Sequence, residues 1–213
     1  MLIKVTAEMN DGRIATSVPY LPLDSLVYVG YVKEHHPELV GVPFDTPTDF
    51  DLPIERKNIN NTWYYDCSFA LAELVAEDER FYNKRYNEKE AEDYLQSKAK
   101  TVVTRKGKYK NFRNALNIYL VNKITWYVNG NMEEIKKCLN HVHFIGKKKS
   151  QGFGLIKSWT FEETKEELTF LRAIPDEDGN EMLGVRPPYF YDGNITRVTM
   201  PNDDRLACVR AFL

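Results

Sequence analysis

No apolar run in this chain is long enough to cross a bilayer, and its opening residues, Met-Leu-Ile-Lys-Val-Thr-Ala-Glu-Met, lack the uninterrupted apolar block of a secretory signal. The expectation is a soluble, cytoplasmic protein with no membrane contact. Cysteine is scarce too. Cys67, Cys138 and Cys208 stand alone, odd in number and without Cys-x-x-Cys spacing, so they read as reduced thiols and offer neither a disulfide framework nor a zinc site. An excess of one charge is also missing: 29 lysines and arginines face 31 acids, and the net charge of -2 sets up no whole-molecule field for a polyanion. Any basic surface has to be local. There is no Gly-x-Ser-x-Gly elbow, no His-Glu-x-x-His and no cysteine in a nucleophile-like setting, so no catalytic residue, metal or cofactor is assigned. What remains is an ordinary folded chain, with 43% hydrophobic and 28% charged residues over 213 positions.

The most distinctive stretch runs from His143 to Trp159. It places Gly146, Lys147, Lys148, Lys149, Ser150, Gln151, Gly152 and Gly154 between a predicted helix and a predicted strand. Glycine there lets main-chain N–H groups approach a ligand without a Cβ in the way, and concavities of such groups hold phosphate, to which lysines add charge. A nucleic-acid backbone is the natural ligand; the bland alternative is a surface turn whose lysines keep it soluble. An ATPase loop is excluded, because Gly154 leads into Leu155 and Ile156 and the order is helix, loop, strand. A second basic segment spans Lys98 to Ala115 and holds Arg105, Lys106, Lys108, Lys110 and Arg113 with no acid, whereas Glu73 to Asp93 is dominated by acids. Such segregation permits a basic groove on a nearly neutral molecule.

Along the chain, Leu2 to Ala7 reads as a strand stopped by Asn10-Asp11-Gly12. Leu26 to Val32 reads as a buried helix capped by Asp24 or Ser25 and ended at Pro37. Val40 to Pro53 should be irregular. Two strands, 52–57 and 62–70, flank a turn at Asn58-Ile-Asn-Asn. Charged, aromatic residues 77–96 are partly compatible with helix, and 98–110 with a hairpin or extended arm. Ala115 to Val128 reads as a long strand ending at Asn129-Gly130-Asn131, and Asn131 or Gly130 caps a helix with Met132, Ile135, Leu139 and Val142 at helical spacing. A strand follows the glycine loop over 153–161, then a solvated acidic connection, a turn at 176–180, a rigid extended segment over Val185 to Tyr191 and a final strand over Arg205 to Leu213.

The helix opened by Leu23-Asp24-Ser25-Leu26, the central strand, the second helix, the loop Ile145-Gly-Lys-Lys-Lys-Ser-Gln-Gly-Phe-Gly-Leu-Ile and the late Arg186-Pro187-Pro188-Tyr189 together resemble the RAMP superfamily of CRISPR-associated RNA-binding proteins. Within it they look most like the type IV group that caps the five-prime end of the guide RNA. The resemblance implies an α+β, ferredoxin-like (RRM-like) domain over residues 1–161, with a basic arm or thumb near 98–113, and a C-terminal β-rich extension over 162–213 packed on it. It implies that the loop residues named above hold the repeat-derived five-prime handle of the guide RNA, with the basic arm reaching over it. It also implies helical backbone subunits, a large subunit and, through the complex, target DNA as partners.

Some RAMP relatives cut precursor RNA without metal, so the histidines matter. His35 and His36 read as residues of a helix C-terminus. His141 and His143 flank the loop but show no matching carboxylate at interpretable spacing. Asp203-Asp204 reads as a turn, and Phe153 and Trp159 as core. The expectation is a non-catalytic guide-RNA capping subunit; the alternatives are a metal-independent endoribonuclease and a general single-strand RNA-binding module.

Overall fold

The computed structural model describes residues 1–16, 20–42, 48–59, 61–87 and 103–201. The first strand, β1 (Leu2–Met9), alternates strictly: Ile3, Val5, Ala7 and Met9 are buried, while Lys4, Thr6 and Glu8 face the other way. That period of two fixes which face of the sheet receives the core. After a break at Asp11-Gly12, β2 (Arg13–Ala15) runs on beside the same neighbour. Helix α1 (Leu23–His35) and the hairpin of β3 (Arg56–Ile59) and β4 (Thr62–Tyr65) come next. Two long strands, β5 (Leu71–Lys84) and β6 (Phe112–Asn129), are followed by α2 (Met132–Asn140), β7 (Ile156–Glu163), β8 (Ile174–Pro175), β9 (Glu181–Gly184) and β10 (Ile195–Thr199).

The fold is α+β and strand-rich, its main sheet antiparallel and curled. Strand β6 pairs with β5 along one edge and with β1 and then β2 along the other, and β7 pairs with the far edge of β1. Helices α1 and α2 cover one face, where Leu23, Val27, Ile135, Cys138 and Leu139 pack with Val5, Ile124 and Trp126. Asn131 caps α2 as expected, its side chain accepting from the amides of Glu133 and Glu134. A smaller sheet, β8–β10–β9, contributes Val198 to the same core. No helix among the described residues is long and apolar enough to cross a membrane.

Four expectations need correction. Asp24 and Ser25 do not cap α1: the N-cap is Pro22, without a side-chain bond, and Ser25 Oγ turns back to Pro22 O. Asp24 lies inside the first turn, fully buried, accepting from the Tyr189 hydroxyl at 2.6 and 2.8 Å, with an Arg172 guanidinium nitrogen 3.6 Å away. A buried carboxylate needs such partners more than a solvated helix end needs a cap. Residues 77–84 are strand, not helix, because they pair with 112–119 of β6. Val185 to Tyr191 is a succession of bends and turns and not an extended rod, bent so that Val185 O and Tyr189 both reach Arg172. The strand after the glycine loop begins at Ile156, since Phe153 and Gly154 still belong to the loop. The residues of the expected final strand Arg205–Leu213 and of the expected turn Asp203-Asp204, together with Cys208 and 88–102, lie outside the described residues.

Candidate nucleic-acid interface

The glycine loop stands on a narrow neck. Phe144 bridges Leu155, Ile145 N donates to Gly154 O (2.9 Å) and Ile156 N to His143 O (2.9 Å), so residues 146–153 form the head of a short hairpin. Two more backbone bonds tie that head to β2, from Lys147 N to Ala15 O (2.6 Å) and from Gly154 N to Arg13 O (2.7 Å). At the crown, Lys148 is left-handed (φ 60°), a single 3-10 turn covers Lys149–Gln151, and Gly152 (φ 81°) closes it. The amides of Lys149 and Ser150 make no backbone hydrogen bond among the described residues, and the side chains of Lys147, Lys148, Lys149 and Ser150 are exposed. An αL residue followed by a helical turn turns successive N–H groups to one side, a geometry suited to an anion.

The loop also leans on the arm. Past the end of β2, strands β5 and β6 leave the main sheet as a two-stranded ribbon, and its Tyr82 meets the loop twice. The hydroxyl of Tyr82 donates to Gln151 Oε1, and Lys148 Nζ lies 4.0 Å from the ring centroid. Beneath them Phe153 is buried with Ala15, Leu116 and Ile118 in a small apolar cluster, and the guanidinium of Arg13 stands 5.3 Å from the Phe153 ring. Phe153 is thus core, as expected. Trp159 is half-buried and packs against the core, its ring 5.9 Å from Trp126 and its Nε1 donating to Val142 O.

The candidate arm residues sit at the distal end of this ribbon. Lys84 pairs with Phe112 two register steps beyond Tyr82 and Asn114, about 7 Å along the strands. Arg105, Lys106 and Lys110 are exposed around a turn closed by Asn111 N on Thr104 O, and Lys108 lies in the single turn Gly107–Tyr109. Arg113 belongs to β6; its register puts it on the ribbon face away from Tyr82, with its guanidinium 4.0 Å from the Phe81 ring. The structure therefore brings the lysine-bearing loop and the basic turn to one end of the molecule. Two residues that hold them there, Tyr82 and Arg13, carried no signal in the sequence, since their partners lie at Gln151 and Phe153.

The histidines divide. His143 is exposed. His141 does have a carboxylate partner, contrary to expectation: its Nε2 pairs with Glu34 of α1, while Lys33 Nζ donates to His141 O (2.8 Å). The helix pairing supplies what sequence spacing concealed. The hydrogen bond to His141 holds the Glu34 carboxyl below its ordinary value. His35 and His36 end α1 as expected, their rings against Tyr31 (4.4 Å) and Phe50 (4.8 Å). Burial pushes the thiols of Cys67 and Cys138 up, the latter to about 11, which keeps both protonated. Among the described residues no histidine, cysteine and carboxylate cluster could hold a metal ion.

No curated protein matches the chain. A family model described as CRISPR type IV associated protein Csf3 matches residues 3–201, which takes in both helices, the ribbon, the glycine loop and the smaller sheet. The chain therefore belongs to the Csf3 family of type IV CRISPR-associated proteins.

Proposed function

We propose that this protein is a non-catalytic subunit of a type IV CRISPR ribonucleoprotein effector complex, that it binds and caps the five-prime handle of the guide RNA, and that it takes part in target DNA recognition. The observation that carries the reading is the exposed crown Lys147–Ser150, fixed by β2 on one side and by the ribbon on the other, in a chain of the type IV family. A strand order of β7–β1–β6–β5 with helices after β1 and β6 supports a ferredoxin-like frame for it. Loop amides and lysines clamp phosphates, Ser150 reads sugar or base edges, and the ribbon turn reaches over the strand. Helical backbone subunits and a large subunit are the protein partners in this reading.

The test mixes purified protein with end-labelled precursor RNA holding one repeat, in EDTA, and reads native and denaturing gels. A shifted, uncut RNA competed best by the repeat-derived handle is expected. Specific cutting would make the protein a metal-independent endoribonuclease, and loss of handle preference would make it a general single-strand binder. Changing Lys147, Lys148 and Lys149 together to alanine should lower the salt slope by about two, since each single-strand phosphate contact contributes roughly 0.7.

A further inference from the structure

A second cationic cluster sits at the other end of the central strands. The β3–β4 hairpin is bonded at its base to the end of β6, where Glu55 N donates to Asn129 O (2.8 Å) and Asn129 N to Asp66 O (2.9 Å). The glycine loop is instead pinned next to Ile118, through Ala15. From Ile118 to Asn129 an extended strand rises about 35 Å.

On the hairpin, the Trp63 indole has two guanidinium groups against it, Arg56 at 4.3 Å and Arg186 at 4.6 Å from the ring centroid. Arg56 is occupied by Asp51 (3.1 Å) and Phe50 O (3.1 Å). Arg186 is only half used. Its Nη1 donates to Thr62 Oγ1 (3.1 Å) and Trp63 O (3.3 Å), and among the described residues its Nη2 has no hydrogen-bond partner and its buried Nε has none either. Arg186 lines a cavity of about 480 Å³ together with Asn61, Thr196, Arg197, Asp176 and Glu177. Arg197 is exposed on β10 and has no side-chain partner among the described residues. The Asp176 oxygens are taken by the Thr199 hydroxyl and the Asp178 amide, which leaves Glu177 as the open carboxylate.

An indole-backed guanidinium is a preorganised planar fork, and a second one at the same cavity suits a phosphate oxygen pair. A bare oxyanion would be repelled by the Glu177 carboxylate and would leave the acceptor oxygens of the Asn61 amide and the Thr196 hydroxyl unused. A sugar and a base edge use them, because they carry donors and acceptors. We propose that this cavity is a second nucleic-acid contact that holds one unstacked nucleotide of a single strand, its phosphate on Arg186 and Arg197. Guide RNA and target DNA share that chemistry, and a strand reaching both this cavity and the glycine loop gains affinity from the second, intramolecular contact.

Fluorescein-labelled oligouridylate and oligothymidylate, each in a short form and in a form long enough to reach both sites, are titrated by anisotropy against the full chain, Arg197→Ala, Arg186→Lys and the triple-lysine variant. Arg197→Ala removes no side-chain bond to a described residue, so its melting temperature should be unchanged. It should weaken the long strands about tenfold and lower the salt slope by about 0.7. Arg186→Lys keeps the charge but loses the fork and should weaken them too. A larger effect on the uridylate assigns the site to RNA, and one on the thymidylate to DNA. Unchanged affinity and slope in both arginine variants overturn the proposal, as does equal affinity for polyglutamate, which would make the cavity a site for acidic peptide. The proposed role of the glycine loop stands or falls separately, on the triple-lysine variant.

Discussion

At the scale of single residues, Tyr82 shows how the loop is held. Its ring carries Lys148 and closes the apolar cluster around Phe153, and its hydroxyl holds Gln151. Tyr82→Phe should weaken handle binding about threefold, the share of one hydrogen bond, and Tyr82→Ala considerably more; fluorescence anisotropy with a labelled handle checks the order. Equal affinities would mean that the crown keeps its shape without the ribbon. Glu34 offers a pH signature. Its pKa lies below the ordinary 4.5, chiefly through the hydrogen bond to His141, so its contribution to stability is present above 4.5 and is lost as pH falls through the lower folded value. A carboxyl-carbon NMR titration should find a midpoint under 4.5 that rises in His141→Ala, where only the charges of His35 and Lys137 still lower it. An unmoved midpoint would argue against the pairing. Sequence alone could not join these two residues, because Glu34 lies in the last turn of one helix and His141 follows another.

At the scale of elements, legibility followed burial. Strand β1 was readable because one face is wholly core, and α2 because Asn131 precedes a helical apolar stripe. The outer half of β5 was not, since Glu77 to Lys84 forms a ribbon largely bare on both faces and shows no apolar alternation to read. Within the loop the glycines are unequal. A Cβ on Gly154 would stand 1.8 Å from Ile145 O, whereas one on Gly152 meets nothing within 4 Å, although both have positive φ. Gly152→Ala should therefore fold, with a loss of about 1–2 kcal/mol from the left-handed backbone, while Gly154→Ala should break the neck and yield little folded protein. Urea unfolding of both variants checks the contrast, and similar midpoints would contradict the neck geometry.

At the scale of the whole molecule, Asp24, Arg172 and Tyr189 join the start of the chain to its last third. Arg172 is fully buried, with Nη1 on the carbonyls of Tyr65 and Cys67 and Nη2 on Val185 O and the Tyr189 hydroxyl. Burial pushes the Asp24 carboxyl up against the pull of Arg172, and pushes the Tyr189 phenol well above its ordinary 10, which keeps it a donor. Asp24→Ala strands the guanidinium and should cost about 3–5 kcal/mol; Tyr189→Phe should cost about 1–3 kcal/mol. Calorimetric melting checks both, and wild-type stability in Asp24→Ala would show that the carbonyls alone suffice. The Leu-Asp and Arg-Pro-Pro-Tyr motifs were each visible in the sequence, yet their union across 165 positions was not. The pairing of β1 has a similar reach, for its strand partners among the described residues are β6 and β7 alone. During synthesis at about 5–20 residues per second, the first strand emerges with both edges bare and waits on the order of ten seconds for residues 112–163. Lys4 and Glu8, set between its apolar side chains, are charges of the kind that disfavour edge-to-edge pairing of a strand left uncovered for that interval.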